Sequence, residues 1–276
     1  MTVETKQSLI SVGGQYIVLP AYKGGQGDTW GNTEIPNPYS ESTSRLYPIG
    51  TKFVDDDRIW RYVKAGNTCT RLRILGSYNA YATDLTREYA VLAVQAEVGD
   101  TTLTCTAQAT VAENVFAGGY VIIQATVKQL YRIVSNTAAT VGLTFTVTLD
   151  HPVRTTLAVT NYAGLYKDIY ADVRYNHTNT GGFIAGVCVP HYTITSGSYS
   201  WGQTWGPSLV ACSDAIGADL NERDLVINID GAVNITQDVS TSGFQHAGYL
   251  LAYTGPSTSG VDQPGANALV MLQLAP

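Results

Sequence analysis

Hydrophobic and polar residues alternate with a period of two along much of this chain. The pattern is densest over Glu97–Leu149, EVGDTTLTCTAQATVAENVFAGGYVIIQATVKQLYRIVSNTAATVGLTFTVTL. Short runs of Thr, Val, Ile, Leu and Tyr are separated there by Gly, Asn, Asp and Ala-Ala breaks. Side chains two apart share one face of a strand, so such a run buries one face and wets the other. β-branched and aromatic residues suit that pleated surface. The stretch predicts a β-meander with turns at Gly118-Gly119 and Asn136–Ala139. His151-Pro152 ends its last run, because proline cannot donate to a central ladder.

The same reading places a hairpin at Lys52–Val63, with Asp55-Asp56-Asp57 as its turn. In its second strand Arg58, Trp60 and Tyr62 alternate with Ile59, Arg61 and Val63, so one face carries the aromatics. Further strands are predicted at Phe183–Val189, Ser198–Gly206, Leu225–Ile229 and Ala268–Leu274. The Leu-, Ala- and Arg-containing stretch around Ala82–Leu92 predicts a short helix. Residues 1–46 are closely punctuated by Gly and Pro, and only Tyr16–Leu19 reads as a strand. Such a segment buries no core of its own and is ordered by lying on another surface. Tyr16, Tyr22, Trp30, Tyr39 and Tyr47 are its candidate anchors. The fold class is therefore all-β with few short helices. A β-sandwich or β-barrel-like body over residues 47–276 carries an extended N-terminal arm over residues 1–46. The body has a possible division into packed subdomains 47–175 and 176–276.

Composition sharpens this picture. Apolar content of 45% in 276 residues is enough for a real core, whereas 14% charged residues is low against about 25% in typical domains. Two readings follow from the low charge and abundant Thr, Ser, Gly and Tyr: a surface covered by neighbouring subunits, or a secreted β protein. Net charge is −6, and its excess lies after Arg174, where only Arg223 is basic. Direct nucleic-acid binding, which needs a basic patch, is not expected. No apolar run reaches the ~20 residues of a membrane span, and the N-terminus lacks the pattern of a signal peptide. Cys69, Cys105, Cys188 and Cys212 are widely spaced and predict four free, mostly buried thiols.

Candidate chemistry is sparse. The Asp55–Asp57 triplet lacks the alternating acids, Gly and distal Glu of a calcium loop and reads as a charged turn. His151, His177, His191 and His246 have no partners at metal-binding spacing. No nucleophile elbow, phosphate loop or paired carboxylate stands out, so no catalytic residue, cofactor or metal is expected. The sharpest local motif is Tyr199–Pro207. Its Tyr199, Trp201, Gln203 and Trp205 are spaced by two and would share a face. Those rings suit packing against a neighbouring element, with sugar stacking as the alternative.

The ordered pieces Tyr47–Phe53, Asp57–Tyr62, Val98–Thr104, Ala117–Tyr120, Tyr131–Thr137 and Trp201–Pro207 resemble structural proteins of tailed-phage heads. The resemblance implies a capsid decoration (cement) protein: a β-rich, non-enzymatic virion component, often a homotrimer. It implies the major capsid protein and further copies of itself as partners. It also implies a location on the capsid surface after synthesis in the host cytoplasm, with no membrane and no direct nucleic-acid contact. A carbohydrate-binding β-sandwich module, or another head or tail subunit, is the alternative function.

Overall fold

The computed structural model describes residues 8–12, 15–19, 36–78, 87–159, 161–175, 185–212, 216, 223–228, 230–235, 245–252 and 267–275. They form β1 (Ser8–Val12), β2 (Gln15–Leu19), β3 (Lys52–Asp55), β4 (Arg58–Lys64), β5 (Leu75–Ser77) and β6 (Arg87–Leu92). Next come β7 (Thr102–Thr106), β8 (Tyr120–Gln124), β9 (Gln129–Asn136), β10 (Thr144–Leu149), β11 (Tyr162–Tyr166) and β12 (Val173–Arg174). The chain closes with β13 (Ala185–Pro190), β14 (Tyr199–Ala211), β15 (Asp224–Ile227), β16 (Val233–Ile235), β17 (His246–Ala252) and β18 (Asn267–Gln273). The protein is all-β, and no helix occurs among the described residues.

Two compact units divide the chain. One is built on Asn79–Asp168, the other on Leu9–Val18, Asn32–Tyr78 and Ile169–Pro276. The first is thus an insertion in the sequence of the second. The insertion's two ends are tied within the second unit by Tyr78 N donating to Asp172 O at 3.0 Å. The Arg174 guanidinium, 3.5 Å from the Tyr78 ring centroid, reinforces the tie.

The inserted unit is a closed antiparallel barrel of order β10-β7-β6-β11-β8-β9. A meander would set β7 beside β8. Instead β7 pairs with β10, Thr102 to Thr106 opposite Thr148 to Thr144, while β8 lies between β9 and β11. The order is a Greek key closed on itself, which leaves no open edge. The period-two pattern holds along β7, β8 and β10. Leu103 and Cys105, Phe145 and Val147, and Val121 and Ile123 all point into one core. On the outer face Thr102, Thr104 and Thr106 meet Thr148, Thr146 and Thr144 directly across the seam. Each such Thr pair adds about 0.2–1 kcal/mol. Phe116, Val111 and Leu157 complete the core from the connections.

The predicted helix near Ala82–Leu92 is a strand over Arg87–Leu92; residues 79–86 lie outside the described residues. Tyr162–Tyr166 pairs with Val91–Arg87 residue for residue, and this tertiary ladder overrides the local helix propensity of Arg, Glu, Ala and Leu.

The second unit is one sheet of order β1-β2-β3-β4-β14-β18-β17-β15-β16, with β13, β5 and β12 attached beside β14. The predicted hairpin forms β3 and β4. Asp56 turns with φ +58, Asp55 Oδ1 accepts a 2.7 Å bond from Gln15 Nε2, and Asp55 also pairs with Arg58. Tyr16–Leu19 is a strand, as predicted, laid against β3 with Tyr16 opposite Val54. A second core lies under Val189, Val210, Leu225, Val233, Val270 and Leu272.

Glycines provide a direct test of the barrel. A Cβ on Gly119 would sit 1.8 Å from Tyr166 O, whereas one on Gly142 meets nothing within 4 Å despite φ +80. Gly119→Ala is expected to cost more than about 3 kcal/mol, because the obstacle is ladder backbone that cannot move aside. Gly142→Ala should cost only about 1 kcal/mol of turn strain. Urea denaturation of the two variants checks the difference; equal midpoints would contradict the barrel's close approach there.

Candidate functional site

The predicted aromatic motif sits at the heart of the second unit. β14 pairs with β4 so that Tyr199 opposes Lys64, Trp201 opposes Tyr62 and Gln203 opposes Trp60. Trp201 is 3% exposed, with its ring centroid 5.2 Å from Tyr47, 5.6 Å from Phe53 and 5.1 Å from Tyr62, all edge-on or tilted. Such pairs add about 0.5–1.5 kcal/mol each beyond their burial. The ring is therefore packed, and Trp201 offers no open face to a sugar. Tyr199 stacks on Tyr62 at 6.0 Å and 8°.

Trp205 departs from the predicted common face. The register shifts between Gln203 and Trp205, so Thr204 is an extra residue on β14, and Gln203 Nε2 donates back to Trp205 O and Pro207 O at 2.9 Å. A bulge of this kind interrupts the alternation on which the prediction rested. Trp205 is half-buried and joins none of the ring contacts among the described residues.

Part of the predicted arm is seated on this cluster. Tyr199 and Ser42 exchange backbone bonds of 2.8 and 2.9 Å, Ser200 Oγ donates to Ser40 O at 2.7 Å, and Leu46 N donates to Tyr62 Oη at 3.0 Å. Tyr47 is buried beneath Trp201, whereas Tyr39 lies half-exposed with its ring edge toward Trp60 and His191. Tyr16 on β2 is exposed. Tyr22 and Trp30 lie outside the described residues.

His191 closes one side of this aromatic layer. Its ring is 4.9 Å from that of Trp60, and Nε2 lies 3.1 Å from Ser208 Oγ. Burial, helped by the nearby Arg58 charge, lowers its pKa to about 4. Burial likewise pushes the Cys69 and Cys105 thiols up to about 12 and that of Cys212 to about 11, and raises that of Cys188 further. All four are free. Burial thus favours the thiol over the thiolate form at all four. No group of His, Cys, Asp or Glu suited to a metal occurs among the described residues.

Sequence reasoning missed a surface on the barrel. Its strand registers place the β6–β7, β8–β9 and β10–β11 connections at one end. That end collects Val94, Val98, Val127, Leu130, Val159 and Tyr162, each 47–62% exposed. Its connections are locked together. Ala96 and Leu157 exchange backbone bonds of 3.0 and 2.8 Å, and Gly99 N and Val153 N donate to Val153 O and Asp100 O at 2.9 and 2.8 Å. Gln129 Nε2 holds Thr155 Oγ1 at 2.7 Å, and Tyr131 Oη accepts from Arg154 N at 3.0 Å. The apolar side chains thus stand on a rigid base. The sequence signal for the four valines was the presence of Val inside loop segments, and Leu130 and Tyr162 lie in β9 and β11.

Two outcomes are expected from the aromatic layer. Trp201→Ala should cost about 3–5 kcal/mol in chemical denaturation, and Tyr16→Ala, at an exposed position, less than about 0.5 kcal/mol. His191 stays neutral in the fold and protonates at about pH 6.5 when unfolded. Its contribution is complete above pH 6.5 and is lost as pH falls towards 4. Relative to His191→Phe, the wild type should lose up to about 3 kcal/mol between pH 7 and pH 4, measured by urea melts at both values.

No protein-family model matches the chain, and comparisons with curated proteins and with solved structures find no significant match.

Proposed function

We propose that the protein is a structural virion component, a decoration (cement) protein that binds the outer surface of a major capsid shell and stabilises it. The observation that carries this reading is the rigid barrel end with its exposed Val94, Val98, Val127 and Leu130. Exposed apolar groups gathered in one place mark interaction surfaces. A base locked by backbone bonds loses little entropy on docking. The low charge and the ordered resemblance to phage head proteins agree with it.

The physical role follows from the geometry of such a shell. Packed DNA presses outward, and a cement protein resists by adding contact across capsomer boundaries. Each contact yields roughly 25 cal/mol per Å² of apolar area, less the cost of association. A trimeric arrangement then multiplies a modest interface through avidity.

Val94→Asp combined with Val98→Asp tests the reading. Both positions are exposed, so the fold should be kept, with a change in stability within about 1 kcal/mol. Co-sedimentation with matching heads should fall at least about tenfold, since a charge then has to be desolvated in an apolar contact. A wild-type protein that remains a monomer in light scattering and never sediments with heads would sink the proposal.

A further inference from the structure

Beside the apolar end, the outer wall of the barrel carries a groove of about 610 Å³ between the β8–β9 turn and the 150–155 segment. Its volume is in the range of small-ligand sites, about 300–1,000 Å³. Three cations line it: Lys128, Arg132 and Arg154. Arg132 is engaged, its guanidinium near the Tyr120 ring and 3.8 Å from Asp168. Lys128 and Arg154 make no ion pair with any described residue. The carboxylate in the groove is already committed. Asp150 accepts Arg132 N at 3.0 Å and holds His151 Nδ1 at 2.8 Å. Lys128 and Arg154 thus stand against the single carboxylate of Asp150, and the groove keeps a net positive charge to offer an anion.

The walls narrow the choice of anion. Val127 and Leu130 form an exposed apolar strip beside the polar groups. The C–H face of a sugar ring packs on such a strip while its hydroxyls reach the polar side. A peptide adding a strand would need an open sheet edge, which the closed barrel lacks. An amphipathic helix would need an apolar trough, whereas this one is lined by cations. The site is also preorganised. Gln129 and Tyr131 fasten the backbone at Arg154 and Thr155 to β9, so Arg154 springs from a fixed point.

We infer that this groove binds a carboxylate-bearing sugar, with Arg154 and Lys128 holding the carboxylate and the Val127–Leu130 strip carrying the ring. Arginine gives the paired donors a carboxylate accepts best, and lysine adds a mobile charge at the rim. The inference goes beyond the capsid reading and uses the barrel alone.

The test is an NMR titration of the isotopically labelled full-length protein with 3′-sialyllactose, and with neutral lactose alongside. Amide shifts are expected to cluster at Val127–Arg132 and Asp150–Thr155 with sialyllactose and to be absent with lactose. Arg154→Ala should weaken binding about tenfold, the loss of one charge-assisted contact, and the Lys128→Ala/Arg154→Ala pair should abolish it. Both residues are exposed, so the variants keep the fold, which their unperturbed spectra verify. Equal binding of lactose, shifts unaffected by the double variant, or no shifts with sialyllactose would each overturn the inference. Displacement of the sugar by hexaglutamate at lower concentration would overturn it in favour of an acidic protein segment. None of these results depends on whether the protein binds capsids.

Discussion

The constraint behind this structure is that the backbone of a chain without helices in its described parts must find its hydrogen-bond partners across strands distant in sequence. Both units meet it with long-range pairings. In the barrel, β7 and β10 close the seam some forty residues apart, with Phe145 opposite Cys105. In the second unit, β14 joins β4 on one run of its length and β18 on another, linking Arg61 with Gly202 and Leu269 with Leu209. The buried strand side chains described above take their places from these ladders, and Phe116, Val111 and Leu157 pack onto them from the connections. Contacts of this kind form late and slowly, because loop closure precedes any gain from them.

Once the ladders are set, the two units differ in where their large side chains go. The second unit turns Tyr47, Phe53, Trp60, Tyr62 and Trp201 inward, so that Tyr47, Tyr62 and Trp201 bind the segment before β3 to the sheet. The barrel fills its interior with aliphatic residues, Phe116, Tyr131 and Phe145, and leaves several valines and Leu130 outside at one end. That contrast shifts the candidate binding surface from the aromatic motif to the barrel. The apolar end and the cationic groove share the β8–β9 turn and the 150–155 segment. One platform thus supports both proposals, which share Val127 and Leu130 and differ in Val94 and Val98 on one side and Lys128 and Arg154 on the other.

The local patterns were largely legible. The β3–β4 hairpin, the strand at Tyr16–Leu19, and the alternation in β7 and β10 follow from period two and from turn residues. Two local readings failed for non-local reasons. Arg87–Leu92 has the composition of a helix but completes the barrel between β7 and β11. Trp205 has the spacing of a shared face but lies beyond a bulge that Gln203 bridges with its own amide. The candidate binding surface was the least legible part. Val94 and Val98 belong to the β6–β7 connection, Val127 to the β8–β9 connection and Val159 to the β10–β11 connection, and no spacing along the chain brings the three connections together.

By itself, the sequence determined that this chain is all-β and which faces of its strongest strands are buried, and it favoured free, mostly buried cysteines. Those properties depend on side-chain size, branching and alternation, which act within a few residues. Tertiary structure alone decided that β10 rather than β8 lies beside β7, that Trp201 is core rather than platform, and that Val94, Val98, Val127 and Val159 share one end. Pairing between distant strands selects among many registers that are nearly equivalent locally. Only closure of the barrel and satisfaction of every buried backbone group distinguish the one that forms.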